Sequence, residues 1–408
     1  MRVQGAVLRE MGLPKPYADS RPLRVEELEL APPGPGELLV RIRAAGLCHS
    51  DLSVIDGSRP RVMPMLLGHE ATGEVVQSAA EGFAPGDVIA CAFVPACGNC
   101  APCADGRPAL CEPAAAANTA GTLLSGTHHL TSAHHPTSPH PPVADAADRP
   151  LVADAADRPP GADSARRQPG AEVHHHLGVS GFADHAVISG RSAVKIDPSL
   201  PPQIAALFGC AVMTGVGAVV NTAQVRAGRS TAVFGLGGVG LSALLGAVLV
   251  GAHPIVAVDV IPAKLELARE LGATAVVDAR DPDAVEQVRA ATTGGAEYAF
   301  ETVGSANVLE QAYAATRRGG TTITVGLPHP SQAFSVPAVS LVAEERTVKG
   351  SYLGSSVPSR DIPRYVALYQ AGRLPVDRLL TATVGLDDLN QAFDDLAAGT
   401  SIRQVLLF

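Results

Sequence analysis

Tryptophan is absent from the 408 residues, and aromatic residues of all kinds make up only 4% of them. Such a composition offers few platforms on which single-stranded nucleic acid could stack. Positive charge is also scarce, with 31 lysines and arginines against 40 aspartates and glutamates and a formal net charge of −9. A general nucleic-acid binder is normally basic, so the composition argues against that class.

Charged residues make up only 17% of the chain and hydrophobic residues 46%, which is enough apolar material for a large core. A chain of this length holds about two or three domains. No signal peptide is predicted, because no long apolar region follows a basic start. The uncharged segment 232–252 is long enough to span a membrane, but its glycine-rich first half favours a strand, a turn and a buried helix. We expect a cytoplasmic protein with no membrane partner and no nucleic-acid partner.

Four of the seven cysteines are closely spaced, with two, two and seven residues between them. They are Cys97, Cys100, Cys103 and Cys111. Gaps of two residues let successive thiolates converge on one ion, and a fourth thiolate from a short loop completes a tetrahedron. The spacing therefore predicts a closed, structural zinc site. A redox pair or a set of free thiols is the alternative interpretation.

A glycine motif follows a β-rich run at residues 231–234 and precedes an apolar helical pattern. It comprises Gly235, Gly237, Gly238, Val239 and Gly240, and Asp259 follows 19 residues after the last glycine. In this context the motif predicts a dinucleotide site, with pyrophosphate at the helix N-terminus and Asp259 accepting hydrogen bonds from the ribose. A carboxylate there favours NAD over NADP. The alternative is an ordinary glycine turn with a surface aspartate. The later alternation of strands and helices predicts a parallel, doubly wound sheet.

Several motifs occur in the order found in the zinc-dependent medium-chain alcohol dehydrogenases, which the chain resembles over nearly its whole length. They are GLCHSDL, GHE, the four-cysteine segment, GCAVMTG, GLGGVG and SIRQVLLF. The resemblance implies an α/β protein with a GroES-like β-rich catalytic domain, residues 1–211 and 353–408. It implies a Rossmann nucleotide-binding domain with a doubly wound parallel sheet at residues 212–352, and a homodimer or homotetramer that pairs at a sheet edge within 334–353.

The same resemblance assigns a second, catalytic zinc to Cys48, His69 and Cys210, with Glu70 beside it as a neighbouring or alternate ligand. Spacing alone does not join Cys210 to this set. Two zinc ions per chain are therefore expected. Cys91 matches no ligand position, and we interpret it as a packing residue.

Cofactor contacts are also implied by the resemblance at positions outside the glycine motif. Thr214 and Val239 fall near the nicotinamide, Lys264 near the ribose, and His49 and Arg403 near the phosphates. A partly protonated histidine would support an anion at position 49. A solvated helix lysine is the alternative interpretation of Lys264.

The implied reaction is the reversible, NAD-linked oxidation of a small alcohol to an aldehyde or ketone by hydride transfer. Ser50 would take the proton of the substrate oxygen, unless it is only a helix cap, and Asp51 would orient His69. Many relatives have a histidine where this chain has Ser53, so the route of the proton to solvent stays open. Alternatives are a thiol-adduct, formaldehyde-type dehydrogenase, a non-catalytic NADH-binding protein and a zinc-free enone reductase.

Two arginines, Arg59 and Arg61, stand where glutathione-dependent formaldehyde dehydrogenases of this family carry acids. They would repel the ammonium end of glutathione, which disfavours that substrate. An anionic substrate fits them better, although an exposed arginine is usually only solvated.

An insert at residues 133–172 departs from the family. It repeats VADAADRP at 143–150 and 152–159, and its composition cannot bury enough surface to offset the entropy of ordering. We predict a disordered loop that arose by duplication. The histidines in and near it are expected to bind metal only weakly.

Overall fold

The computed structural model describes residues 1–133 and 171–408. The predicted disordered insert therefore lies outside the described residues, apart from its ends. Its two flanks pair with each other as antiparallel strands, with Leu130 opposite Val173 and Thr131 opposite Glu172.

The strands of the described residues are, in chain order, β1 (Arg2–Leu8), β2 (Leu23–Leu30), β3 (Glu37–Gly46), β4 (Met65–Leu66), β5 (Glu70–Ser78), β6 (Val88–Cys91), β7 (Leu130–Ser132), β8 (Glu172–His175), β9 (His185–Ser189), β10 (Ala193–Lys195), β11 (Thr231–Phe234), β12 (Ile255–Asp259), β13 (Ala275–Asp278), β14 (Ala296–Glu301), β15 (Thr316–Thr324), β16 (Thr347–Gly350), β17 (Leu380–Val384) and β18 (Arg403–Leu407).

The α-helices of the same residues are α1 (Tyr17–Ser20), α2 (His49–Ile55), α3 (Ala101–Ala104), α4 (Glu112–Ala120), α5 (Pro202–Ala205), α6 (Ala211–Gly217), α7 (Gly238–Leu249), α8 (Pro262–Glu270), α9 (Ala284–Ala291), α10 (Ala306–Ala315), α11 (Ala338–Ala343), α12 (Pro358–Gln370) and α13 (Leu389–Ala397).

Two β-rich units are present, and the second of them is built from both ends of the chain. Strands β1, β2, β7, β8 and β4 close into a barrel. A seven-stranded sheet has the order β10-β6-β5-β3-β18-β17, and β9 pairs with β3. Because β17 and β18 join strands from the first half of the chain, the C-terminal segment completes this sheet rather than forming a separate unit.

The middle of the chain folds into a six-stranded parallel sheet with the order β13-β12-β11-β14-β15-β16. The predicted doubly wound Rossmann sheet is confirmed. Strands β11 and β12 read TAVF and IVAVD and are buried along their whole length, as expected for central parallel strands covered on both faces. The strand order reverses between β11 and β14, and ligands bind at such a switch point beyond the carboxyl ends of the strands.

The uncharged segment around residues 232–252 divides into β11, a turn and α7, as predicted. In the described part of the chain, no single helix is long and apolar enough to cross a membrane. The helical pair 202–209 and 211–223 meets the length and composition test only jointly, across a bend of 50°.

Candidate active site and metal centres

The register of three strands creates the site. Strand β3 lies between β5 and β18, so that Gly46 faces Glu70 on one side and Val405 on the other. A Cβ at Gly46 would lie 2.6 Å from Oε2 of Glu70 and 2.9 Å from a guanidinium nitrogen of Arg403. Only a residue without a side chain fits here, because both of those charged groups are buried at the end of β3. The chain then turns into α2, with Cys48 at its N-terminal boundary.

Four metal-ligating side chains meet beyond this strand end. They are Cys48, His69, Glu70 and Cys210, whose donor atoms lie within 4.8 Å of one another and which are all buried. Cys48 precedes α2, His69 immediately precedes β5, and Cys210 precedes α6. The fold thus brings Cys210 to the other members of the predicted set. Two thiolates, one imidazole and one carboxylate are donors that Zn²⁺ accepts.

Asp51 fixes the orientation of His69. Its two carboxylate oxygens lie 3.2 Å and 3.1 Å from Nδ1 of His69, and one of them accepts the backbone N–H of Gly68 at 3.1 Å. Nε2 of His69 is buried and forms no hydrogen bond within the described residues. Because Asp51 holds Nδ1 and Nε2 has no hydrogen-bond partner, the ring is oriented to coordinate a cation through Nε2.

Negative charge is concentrated in this buried cluster. A hydrogen bond from Cys210 and the nearby His69 hold the pKa of Cys48 well below its ordinary value. The bond to the Cys48 thiolate, together with burial, raises the pKa of Cys210 well above its ordinary value. Burial opposes protonation of His69, but the charges of Asp51 and Cys48 outweigh it and raise the pKa of His69 to about 10. These pKa shifts indicate that the buried cluster stabilises positive charge, which a divalent cation would supply.

Arg403 forms a buried ion pair with Glu70 behind the cluster. Its aliphatic stem also reaches the glycine motif, since a Cβ at Gly238 would collide with Cδ of Arg403. One side chain therefore links the candidate zinc ligand set to the loop that would hold a pyrophosphate.

The four-cysteine segment forms a second sulfur cluster, with all four Sγ atoms within 4.8 Å of one another. Backbone N–H groups point at these sulfurs, at 3.2 Å from Cys97 to Cys111 and at 3.4 Å from Cys100 to Cys97. Backbone hydrogen bonds, from Asn99 first, lower the pKa of Cys97 to about 6. The geometry fits a closed zinc site. Cys91 belongs to neither cluster, and burial raises its pKa to about 12.

The glycine motif forms the turn between β11 and α7. Gly235 has a φ of +90°, which an L side chain rarely adopts. A Cβ at Gly240 would collide with the carbonyl oxygen of Gly235, so the helix packs directly on the strand end. A Cβ at Gly237 would meet nothing within 4 Å. This open space above a helix N-terminus fits a pyrophosphate.

Asp259 ends β12 beside that turn. Its carboxylate accepts the backbone N–H of Leu236 at 2.6 Å and that of Ile261 at 2.9 Å. A carboxylate has about four acceptor sites, so lone pairs remain for the hydroxyls of a ribose. Asp259 is therefore fixed in position by the same turn that would hold the pyrophosphate.

One cleft of about 420 Å³ joins these parts. The predicted residues on its wall are Cys48, His49, Ser50, Cys210, Thr214, Gly235, Gly237, Gly238, Val239, Asp259, Lys264 and Arg403. Asp51, His69, Glu70 and Gly240 lie behind this wall. The zinc ligand set and the nucleotide loop thus face one space.

Helix α2 places three polar residues, His49, Ser50 and Ser53, on the cleft wall. Ser50 lies on the cleft wall with its Oγ 3.8 Å from the sulfur of Cys48. Ser53 donates its hydroxyl to the carbonyl oxygen of His49 at 2.5 Å, so it is engaged in the helix. Desolvation by the surrounding cleft lowers the pKa of His49. The expected partial protonation of His49 is therefore not supported for the chain alone.

Three further residues lie near the cluster and were not predicted from the sequence as part of this site. The ring of Phe93 stands edge-on to His69 at 5.5 Å and to Tyr352 at 6.0 Å, measured between ring centroids. His176 is buried, with its Nε2 3.5 Å from Oδ1 of Asp51. Phe93 and Tyr352 belong to no sequence motif. Only contacts between segments far apart in the chain place them at the site, so the sequence alone gives no indication of them.

Two family models match the chain. The alcohol dehydrogenase GroES-like domain matches residues 34–137, and the zinc-binding dehydrogenase model matches residues 238–371. The first match confirms the GroES-like part of the predicted fold. The first range includes Cys48, His69 and Glu70, and the second begins at Gly238 within the glycine motif, whereas Cys210 lies between the two ranges.

Similar proteins extend over the whole chain. Putative alcohol dehydrogenase D of Mycobacterium tuberculosis is 36% identical over 414 residues, covering 100% of both chains. Alcohol dehydrogenase class-3 of Myxine glutinosa is 34% identical and covers 95% of this chain and 94% of its own. The crystal structure of benzyl alcohol dehydrogenase from Acinetobacter calcoaceticus has a TM-score of 0.85 and 29% identity, covering 100% of this chain and 99% of that one.

Proposed function

The chain belongs to the zinc-dependent medium-chain alcohol dehydrogenase family, and from this premise we propose that it oxidises an alcohol to an aldehyde or ketone with NAD, reversibly. The proposal includes one catalytic and one structural zinc ion per chain. An oxidoreductase follows from the family. The coenzyme, the number of zinc ions and the substrate are the proposed part.

One observation carries the proposal. Cys48 and Cys210 of the candidate metal site lie on the same cleft wall as the glycine motif and Asp259. A substrate oxygen at the candidate metal site and a nicotinamide dinucleotide at the glycine motif would therefore meet in one space. A protein that only bound NADH would not need a buried cluster of two thiolates, an imidazole and a carboxylate at the inner end of that space.

When bound, zinc would supply a Lewis acid for the substrate oxygen, and the nicotinamide would supply the hydride acceptor. Asp51 holds Nδ1 of His69, which leaves Nε2 for the ion. Ser50 stands beside Cys48 and takes the hydroxyl proton of the substrate. Because Ser53 is bound to a backbone carbonyl, the proton passes to water or to His49 at the exposed mouth of the cleft. Phe93 shields the reacting carbon from water.

The preference for NAD rests on Asp259. Its carboxylate is fixed by two backbone N–H groups at the end of β12, where the adenosine ribose of a dinucleotide would lie. The 2′-phosphate of NADP would face this negative charge. Lys264, on the same wall, reaches the ribose hydroxyls or the phosphates in the proposed complex.

The experiment measures zinc content and coenzyme reduction together. Protein with its zinc counted by mass spectrometry is given NAD or NADP and a panel of primary, secondary, aromatic and polyol alcohols. We expect about two zinc ions per chain and faster reduction of NAD. Cys48→Ala should lose one zinc ion and the activity. Cys91→Ala is the matched control, which should keep its full zinc content and its activity. Full turnover by Cys48→Ala would refute the zinc mechanism.

The proposal also includes a homodimer or homotetramer. Strand β16 is an edge strand of the six-stranded sheet. The neighbouring helix α11 exposes Val339 by 71% and Val342 by 81%, and apolar residues at a sheet edge favour pairing between subunits. Sedimentation at micromolar concentration tests this, and a monomer would contradict it.

A further inference from the structure

Two arginines without an acidic partner among the described residues lie in the segment after α2. Arg59 and Arg61 follow α2, and Arg59 lies on the cleft wall. Both are partly buried rather than fully exposed. One nitrogen of Arg59 donates to the carbonyl oxygen of Pro328 at 3.1 Å, and Nε of Arg61 is buried with no hydrogen-bond partner among the described residues.

No carboxylate within the described residues forms an ion pair with either arginine. Asp56, the acid in the same loop, uses an oxygen to accept the backbone N–H of Ser58 at 2.8 Å. Partial burial, together with the charge of Arg61, lowers the pKa of Arg59. Two nearby like charges that are partly removed from bulk water and have no acidic partner are unfavourable, and an anionic ligand offsets that cost.

The arginines lie close to the candidate zinc site. Phe93 contacts His69 on one side and Tyr352 on the other. Tyr352 lines the same cleft as Phe93, Cys210 and Arg59. An alcohol whose oxygen reaches Cys48 and Cys210 would lay its carbon skeleton along Phe93 and Tyr352. Its far end would then lie at Arg59.

We propose that Arg59 and Arg61 form an anion subsite, and that the substrate is an alcohol carrying a carboxylate at the end opposite its hydroxyl group. A guanidinium is suited to such a group because its planar fork binds a carboxylate with two parallel hydrogen bonds. The inference rests on the proposed alcohol oxidation and specifies its substrate class.

The test compares two probes of equal size, 4-(hydroxymethyl)benzoate and its uncharged analogue 4-(hydroxymethyl)benzamide. Calorimetry on the zinc-loaded protein without coenzyme gives the Kd of each probe without turnover. We expect the carboxylate to bind about 10- to 100-fold more tightly, which is the usual range for a charged hydrogen bond. NADH formation on the same pair should give a similar ratio of kcat/KM.

Variants identify the groups responsible. Arg59→Met and Arg61→Met should each reduce the ratio between the two probes several-fold, and Arg59→Lys should restore part of it. The matched control is Arg226→Met, which removes an exposed arginine that does not line the cleft and should leave the ratio unchanged. Equal binding of the two probes to the parent protein, or an undiminished ratio in Arg59→Met, would overturn the subsite.

The two arms separate this inference from the proposed function. If neutral alcohols are oxidised but the carboxylate probe shows no dependence on Arg59, the subsite is wrong and the alcohol dehydrogenase stands. If binding of the carboxylate probe depends on Arg59 but neither neutral nor anionic alcohols are oxidised, the anion subsite stands and the proposed reaction is wrong. A carboxylate that instead bound at Cys48 and Cys210 would be insensitive to Arg59→Met, which counts against the subsite.

Discussion

The buried ion pair between Glu70 and Arg403 makes a quantitative prediction. Glu70 is 0% exposed and Arg403 is 4% exposed. Replacing Arg403 by methionine keeps an unbranched stem against the glycine motif but removes the charge. Glu70 then loses its guanidinium partner, and its Oε1 already has no hydrogen-bond partner in the described residues.

Removing one partner of a buried ion pair costs about 3–5 kcal/mol, because the other charge is left in a medium that solvates it poorly. We expect Arg403→Met to lower the free energy of unfolding by that amount. Glu70→Gln leaves a buried arginine instead and should cost a similar amount. The double variant removes both charges, so its loss should be smaller than the sum by about 2–3 kcal/mol.

An exposed pair supplies the matched control. Arg269 and Glu266 lie three residues apart on α8, with side chains 55% and 62% exposed, and their charged groups are 2.8 Å apart. The corresponding cycle with Arg269→Met and Glu266→Gln should give a coupling energy of only about 0.3–0.5 kcal/mol. Both pairs have a short contact, so burial is what separates their energies.

Urea unfolding followed by far-ultraviolet circular dichroism measures these values on zinc-loaded protein, since the chain has no tryptophan to report by fluorescence. If Arg403→Met costs less than about 1 kcal/mol and the coupling energy equals that of the exposed pair, the reasoning from burial is refuted. A large loss in both single variants with no recovery in the double variant would show that side-chain packing, not charge, stabilises this position.

Three further changes have defined outcomes. Asp259→Asn removes the charge facing a 2′-phosphate, so the ratio of kcat/KM for NAD over NADP should fall about 10- to 100-fold; an unchanged ratio would contradict the role of Asp259. Asp51→Asn weakens the hydrogen bond that orients His69 and should lower zinc affinity by about 10- to 100-fold in a chelator competition. An unchanged affinity would contradict this role of Asp51. Cys97→Ser should lose one zinc ion and lower Tm by several degrees, whereas Cys91→Ser should retain all bound zinc; equal zinc contents would remove the closed site.

The parts of the site that the sequence predicts are those encoded by neighbours in the chain. The glycine motif needs a strand, a turn and a helix in immediate succession, and β11, the turn at Gly235 and α7 follow one another in that way. The four clustered cysteines converge for the same reason, since gaps of two residues restrict where successive sulfurs can lie. In both cases local geometry decides the outcome.

The candidate catalytic cluster depends instead on sheet register. Glu70 and Arg403 are 333 residues apart in sequence, and they meet because β5 and β18 pair on opposite sides of the end of β3. A slip of one residue in either pairing would turn the side chains to the other face. Composition and spacing carry no information on that register, nor on the packing that brings Cys210, at the start of α6, to Cys48 at the start of α2. Only family resemblance could therefore join these two cysteines.

The sequence also does not show whether a charged side chain has an oppositely charged partner, and here that matters for function. In composition, Arg403 and Arg59 are two of 31 basic residues, and although the family resemblance singles out both positions, it does not show which of the two has an acidic partner. The fold gives Arg403 a buried carboxylate, whereas no described carboxylate pairs with Arg59. A cation placed on a cleft wall without an acid costs free energy in the protein alone, and an anionic ligand recovers that cost when it binds. The missing partner, which only the fold reveals, therefore points to the charge of the substrate.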